Sequence, residues 1–270
     1  MLTSVQNPLV KQIRKLHSAK YRKQLQRFLL EGTHLVQEAV MAGFPLETLC
    51  YTEDWQRKAP DLWQQLQGPP YGASLRCEVV SEAVMQAIAT TVHPDGVVAI
   101  AQSRPETPVE IQRLGLILET IQDPGNIGTI LRTAAAAGVD GIWLSAGSVD
   151  LENPKVLRAS TGAWFRMPTL LCNNLIDQIR TYRKQGFQVI ATTPKASLEY
   201  WSVDFNQPTL VLIGNEGAGL SPSLLAEADL QVSIPVAGVE SLNAAIATAV
   251  VLYEAKRQHV QVQNRSQEMV

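Results

Sequence analysis

The sequence predicts an α/β protein of two domains, a small N-terminal α/β domain followed by a larger one built on a parallel sheet. Three observations predict it. Apolar runs at 114–119, 141–145, 187–191, 209–213 and 230–234 alternate with helical periodicity at 126–138, 173–185 and 241–258. That alternation produces a parallel sheet covered on both faces. Before it lies a different pattern, with short strand-like runs at 27–30, 47–51, 75–80 and 97–101 and helical periodicity at 7–17 and 31–42. Between the two, residues 103–109 read SRPETPV, two prolines among polar residues ahead of a fresh apolar run, which is the composition of a linker. The boundary is expected near residue 108, giving domains 1–108 and 109–258, with the polar stretch 259–270 expected to fray as a tail.

A chain of 270 residues accommodates about two domains of roughly 150 residues. With 46% hydrophobic and 18% charged residues it fits neither a disordered chain nor a membrane protein. Its longest near-apolar stretch, Ala244 to Tyr253, is half of the roughly 20 residues that span a bilayer. The N-terminal sequence MLTSVQNPLVKQIRKLHSAKYRK lacks the apolar core and small-residue cleavage site of a signal peptide, so a cytoplasmic protein with no membrane partner is expected. Cys50, Cys77 and Cys172 have no C-x-x-C spacing, and His17, His34, His93 and His259 are scattered. Neither a disulfide framework nor a metal site is expected.

The formal charge of −2 hides an asymmetry. Residues 1–30 carry seven bases (Lys11, Arg14, Lys15, Lys20, Arg22, Lys23 and Arg27) and no acid, leaving 16 bases against 25 acids in the other 240 residues. Such a cluster is either a solvated helix face or an arm that contacts nucleic-acid phosphates and releases their counterions.

Ligands of open α/β sheets bind beyond the carboxyl ends of strands, which directs attention to the loops after the apolar runs. After 114–119 comes IQDPGNIGTILRTAAAAG, where Pro124 and Gly125 make a turn and Asn126 is placed to cap a helix that carries Arg132. After 209–213 comes GNEGAGLSPSLL, a loop with Gly214, Gly217 and Gly219, the carboxylate of Glu216, Ser221 as a helix cap and Pro222 at the first helical position. Its G-x-x-G-x-G spacing is neither a dinucleotide fingerprint nor a P-loop. After 230–234 comes PVAGVESLN, with Ser241 expected to cap a long helix that is apolar around most of its circumference and so suited to a core or a dimer contact.

Taken in order, NIGTILR, IGNEGAGL and IPVAGVESLN resemble the three motifs of the SpoU/TrmH family of S-adenosylmethionine-dependent RNA ribose 2'-O-methyltransferases. The resemblance spans about residues 114–257, including NPKVLRASTGAWFRMP, while NPLVKQIRKLHSAKYRKQLQRFLLEGTHLVQEAV resembles the substrate-binding domain of rRNA-directed members. It implies a trefoil knot in the C-terminal part of the catalytic domain, S-adenosylmethionine as cofactor, an RNA substrate of the 23S rRNA type, and a homodimer whose active site draws on both subunits. By position it assigns Arg132, Asn126, Glu216, Ser241 and Asn243 to catalysis and Thr192, Gly214, Ile234 and Leu242 to the cofactor. It also favours RNA contact for the seven N-terminal bases. One departure stands out: two residues, Val239 and Glu240, separate Gly238 from Ser241 where the family commonly has three.

Methyl transfer from a sulfonium needs in-line approach of an oxygen and removal of its proton, and requires no metal. The three motifs offer no His, Lys or Cys as base. The family proposal gives that work to the arginine, here Arg132; the alternative is that Arg132 stays protonated, binds a neighbouring phosphate and stabilises the developing alkoxide. In that scheme Glu216 orients Asn126 or Arg132, and Ser241 and Asn243 position the ribose. A tRNA target and a catalytically inactive RNA-binding homologue remain open at this level. A nucleotide-dependent oxidoreductase is disfavoured because its glycine fingerprint after the first strand is missing.

Overall fold

The computed structural model describes residues 1–72, 74–103 and 108–268, so residues 104–107 of the expected linker lie outside the described residues. The chain divides into two compact units, Met1–Pro105 with Asp150–Arg166, and Glu106–Val149 with Met167–Val270.

The first unit opens with α1 (Pro8–Lys15), α2 (Ala19–Leu25), β1 (Arg27–Glu31), α3 (Thr33–Met41) and β2 (Leu46–Tyr51). It continues with α4 (Glu53–Lys58), α5 (Pro60–Gln67), β3 (Arg76–Val79), α6 (Glu82–Ile88) and β4 (Val97–Gln102). The four strands pair in the order β1-β4-β2-β3, antiparallel except for β2 with β3. Side chains alternate across this sheet. Leu29, Cys50, Val98 and Ile100 pack with Val10 and Ile13 of α1 and Val84, Met85 and Ile88 of α6. Phe28, Leu30, Leu49 and Ala99 face Leu35 and Val36 of α3, Trp55 of α4 and Leu62 of α5. Asn7 caps α1 by accepting from the Leu9 N–H, with Pro8 in the first turn.

In the second unit the chain forms β5 (Leu114–Leu118), α7 (Pro124–Ala137) and β6 (Gly141–Ser145). It then supplies α8 (Pro154–Ser160) to the first unit. This corrects the contiguous second domain expected over 109–258. Leu157 is buried in the core of the first unit, Trp164 packs tilted against Phe28 and Phe165 edge-on against Phe44, each with ring centroids 5.2 Å apart, and Arg158 pairs with Glu31 at 3.0 Å. No helix is expected from the sequence at 154–160, and periodicity would in any case report a helix and not its partner.

The remaining elements are β7 (Thr169–Cys172), α9 (Leu175–Lys184), β8 (Gln188–Thr192), β9 (Leu198–Glu199), β10 (Thr209–Ile213), α10 (Pro222–Leu225), β11 (Leu230–Ser233) and α11 (Ala244–Glu268). Seven strands run parallel in the order β7-β6-β5-β10-β8-β11-β9. Ile117, Trp143, Val189, Leu210 and Leu212 pack under Leu175, Ile179 and Tyr182 of α9. Their neighbours Leu116, Leu118, Ile142, Ile190 and Val211 point the other way and are buried too, so the sheet is covered on both faces as the alternation predicts. α7 and α11 pack on each other. Because β5, β10, β8 and β11 are parallel neighbours, the loops that follow them leave the sheet at one edge.

α11 departs from expectation at both ends. It begins at Ala244, where Asn243 and not Ser241 accepts the N–H groups of Ala245 and Ile246. It runs through the expected tail to Glu268. No glycine or proline interrupts the segment, and Gln258 and His259 anchor it, with the Gln258 amide donating to the Val203 carbonyl and His259 Nε2 lying 2.7 Å from the Phe205 carbonyl. Among the described residues no helix is long and apolar enough to cross a membrane, and no group of three or more His, Cys, Asp or Glu could hold a metal ion.

Candidate active site

The loop after β5 turns sharply at Thr120, which adopts a left-handed φ of 53°. Its N–H donates to Ser145 Oγ at 2.7 Å and its carbonyl accepts from Asn215 Nδ2 at 2.8 Å. Three residues later Asp123, with Pro124 in the first turn, caps α7 by accepting from the Asn126 N–H at 2.9 Å. Asn126 is thus not the cap, as the sequence suggested, but lies one turn inside the helix with its side chain released. The Asp-Pro pair carried the signal, an N-cap residue before a first-turn proline.

Asn126 uses that freedom to join the three loops. Its Nδ2 donates to Glu216 Oε1 at 2.9 Å, and its Oδ1 accepts from Asn243 Nδ2 at 2.9 Å. Glu216 also accepts from the N–H groups of Gln122 at 3.3 Å and Asp123 at 3.2 Å. Partial burial works to raise the Glu216 pKa, but the Asn126 amide and these backbone donors outweigh it and hold the carboxyl below the ordinary carboxylate value. The group is a carboxylate at neutral pH. Arg132 is exposed on α7, about 120° around the axis and about 9 Å along it from Asn126.

The loop after β10 folds onto itself. Asn215 and Gly219 exchange backbone hydrogen bonds of 3.0 and 2.9 Å, and Asn215 Oδ1 accepts from the N–H groups of Gly217 and Ala218. A Cβ at Gly214 would fall within the backbone of Gly219 and Leu220, so glycine is required there by the loop itself. Ser221 caps α10 as predicted, and its own N–H donates to Glu119 Oε2 at 2.7 Å.

Beside this loop lies a cavity of about 430 Å³. It takes in Thr192 after β8, Gly214 and Glu216 after β10, and Ile234, Ser241 and Leu242 after β11. All four positions that the resemblance assigned to a cofactor therefore border one space. Its apolar lining includes Ile213, Leu220, Leu225, Val232 and Ala247, and its polar lining includes Thr193, Lys195, Asn215 and Glu240. Sequence reasoning missed Thr120, Asn215 and Asp123 as supports and Lys195 and Glu240 as cavity-lining side chains.

A profile of the SpoU rRNA methylase family matches residues 113–253, and one of the MRM3-like substrate-binding domain matches residues 7–99. The chain belongs to the SpoU rRNA methylase family. It is 48% identical to an uncharacterized tRNA/rRNA methyltransferase of Synechocystis over 95% of this chain and 93% of that one. It is 34% identical to the 23S rRNA (guanosine(2553)-2'-O)-methyltransferase RlmP of Bacillus subtilis over 94% and 98%. The SpoU methyltransferase AviRb of Streptomyces viridochromogenes, solved in complex with AdoMet, superposes with a TM-score of 0.83 at 31% identity over 94% of this chain and 99% of that one. In this SpoU chain the Asn126 side chain therefore links the loop after β5 directly to the loops after β10 and β11.

The N-terminal bases divide. Lys11, Arg14, Lys15, Lys20 and Lys23 are exposed, and the first three line a surface hollow with His17, Ser18 and Tyr21. Arg22 is the correction: it is buried, donates to Asp150 Oδ2 at 2.6 and 2.9 Å, and donates to the carbonyls of Leu16 and His17. Arg27 is committed to Glu47 at 2.5 Å. Charge was legible in the sequence; burial was not.

Proposed function

We propose that this chain transfers a methyl group from S-adenosylmethionine to a ribose 2'-hydroxyl in RNA, with 23S-type rRNA as the target. The observation that carries the reading is the Glu216–Asn126–Asn243 hydrogen-bonded chain, built from three separate loops, at a cavity bordered by Thr192, Gly214, Ile234 and Leu242. The Bacillus relative acts on 23S rRNA, which favours rRNA over tRNA.

S-adenosylmethionine supplies, when bound, an electrophilic methyl on a cationic sulfur. Backbone at Gly214, Ile234 and Leu242, together with Thr192, would hold it. Arg132 binds the phosphate beside the target ribose and stabilises the developing alkoxide. A guanidinium is a poor base, so the hydroxyl proton leaves to phosphate or water. Asn126 and Asn243, fixed against each other and against ionised Glu216, orient the ribose with Ser241. Lys11, Arg14, Lys15, Lys20 and Lys23 of the first unit hold the RNA backbone.

A homodimer completes the reading. Ile246, Tyr253 and Val260 recur every seven residues along α11 and are 50%, 50% and 42% exposed, an apolar seam for a second copy. The trefoil knot and a cytoplasmic location belong to the same proposal. Thermal melting tests the cofactor. S-adenosylmethionine at about 100 times its Kd should add about 2.7 kcal/mol and raise Tm by several degrees, with no shift from NAD; the converse result would remove the reading.

A further inference from the structure

Among the described residues that line the cavity, three side chains are charged: Lys195, Glu216 and Glu240. They come from three loops, after β8, β10 and β11. Glu216 is already satisfied by Asn126 and the backbone N–H groups of Gln122 and Asp123. Lys195 and Glu240 are exposed, and neither side chain is ion-paired among the described residues. The cavity thus offers one uncommitted cation and one uncommitted anion, with a net charge of −1 when all three groups are ionised.

Resting on the cofactor reading above, the chemistry of the ligand completes the argument. S-adenosylmethionine at neutral pH carries a carboxylate, an ammonium and a sulfonium, one net positive charge. Loss of the methyl leaves a neutral thioether and a ligand with no net charge. We propose that Lys195 binds the carboxylate of the cofactor and that Glu240 faces its sulfonium, so that the cavity holds S-adenosylmethionine in preference to S-adenosylhomocysteine. Glu240 is then a specificity-determining residue that favours substrate entry and product release by charge alone. It lies between Gly238 and Ser241 in the loop after β11. Neither side chain takes part in the Asn126 chain, so changing them leaves that linkage intact.

Calorimetric titration of the full-length protein tests both halves, with S-adenosylmethionine, S-adenosylhomocysteine and decarboxylated S-adenosylmethionine as ligands. An exposed ion pair is worth up to about fivefold in affinity. Lys195→Ala should weaken both carboxylate-bearing ligands about fivefold and leave the decarboxylated one unchanged or tighter, with Lys195→Arg restoring binding. Equal loss for all three ligands, or no loss, overturns the Lys195 half. Glu240→Gln should weaken S-adenosylmethionine about fivefold and spare S-adenosylhomocysteine. Equal weakening of those two, or none, overturns the Glu240 half. Absence of any binding by the wild-type protein overturns the cofactor reading itself, a result distinct from unaffected variants of a wild type that binds.

Discussion

Replacing Arg22 with alanine separates a structural cation from an RNA-contacting one within the same basic cluster. The Arg22 side chain is 2% exposed and its partner Asp150 is 19% exposed. Four hydrogen bonds leave the guanidinium, two to Asp150 Oδ2 and one each to the Leu16 and His17 carbonyls. Truncation strands a carboxylate and two carbonyls, and breaking a buried pair from one side costs about 3–5 kcal/mol. The residual exposure of Asp150 lets water reach it, which places the loss near the lower figure, about 3 kcal/mol. Urea unfolding followed by far-UV circular dichroism should show that loss, and Tm should fall by roughly 10 °C. Arg22→Met combined with Asp150→Leu should recover part of it, because neither charge is then left alone. A change below about 0.5 kcal/mol, accompanied by weaker RNA binding, would refute the reasoning and return Arg22 to the RNA-contacting set.

Three further outcomes are expected. Thr120→Gly removes a β-branched side chain from a left-handed backbone and, after the glycine's greater unfolded-state entropy is subtracted, should raise stability by about 0.5 kcal/mol in urea unfolding; a loss would show that the Thr120 side chain outweighs its strain. Lys11→Ala, Arg14→Ala and Lys15→Ala together should weaken RNA binding and flatten its dependence on log salt concentration while leaving cofactor affinity unchanged, as measured by filter binding between 50 and 200 mM salt; an unaltered slope would place the phosphates elsewhere. The depressed pKa of Glu216 means that its stabilisation is complete above the ordinary value of 4.5 and is lost as pH falls through the lower folded value. Asn126→Ala removes its side-chain donor, so the variant should be about 1 kcal/mol less stable than wild type at pH 7, and the gap should narrow as the pH falls below 4.5; a gap independent of pH would deny the link to Glu216.

Elements with their own periodicity were legible in the sequence. β5, β6, β8 and β10 are mostly apolar runs, and they and the alternating β11 could be placed to within about two residues, whereas β9 spans two residues, Leu198 and Glu199, and offers no pattern. The short helices α2, α4, α5, α6 and α8 went unread for the same reason, whereas the start of α10 was legible in Ser221 and Pro222. At the site, the sequence named Asn126, Glu216, Ser241 and Asn243 but misassigned the caps, because Asp123 and Asn126 are both good cap residues three positions apart and only the backbone decides between them. What it could not carry was pairing at a distance. Arg22 with Asp150, or Leu157 in the core of the first unit, involves partners more than 100 residues away. Cavity-lining Lys195 and Glu240 were invisible for a related reason, since it is the order of β10, β8 and β11 in the sheet that brings their loops to one wall.

The proposed function places Arg132 at the reacting centre of RNA ribose methylation. Its most direct test is nucleotide-resolution mapping of 2'-O-methylation on 23S rRNA from cells that lack the gene, complemented with wild type, Arg132→Ala or Arg132→Lys. Wild type should restore methylation at one ribose, and Arg132→Ala should restore none while the purified variant still binds S-adenosylmethionine. Arg132→Lys should also fail, at every pH from 6 to 10 in single-turnover assays on the mapped RNA, because lysine keeps the charge but loses the planar fork that grips a phosphate. Full methylation by Arg132→Ala, or a methyl group found on a base and not on a ribose, would contradict the account.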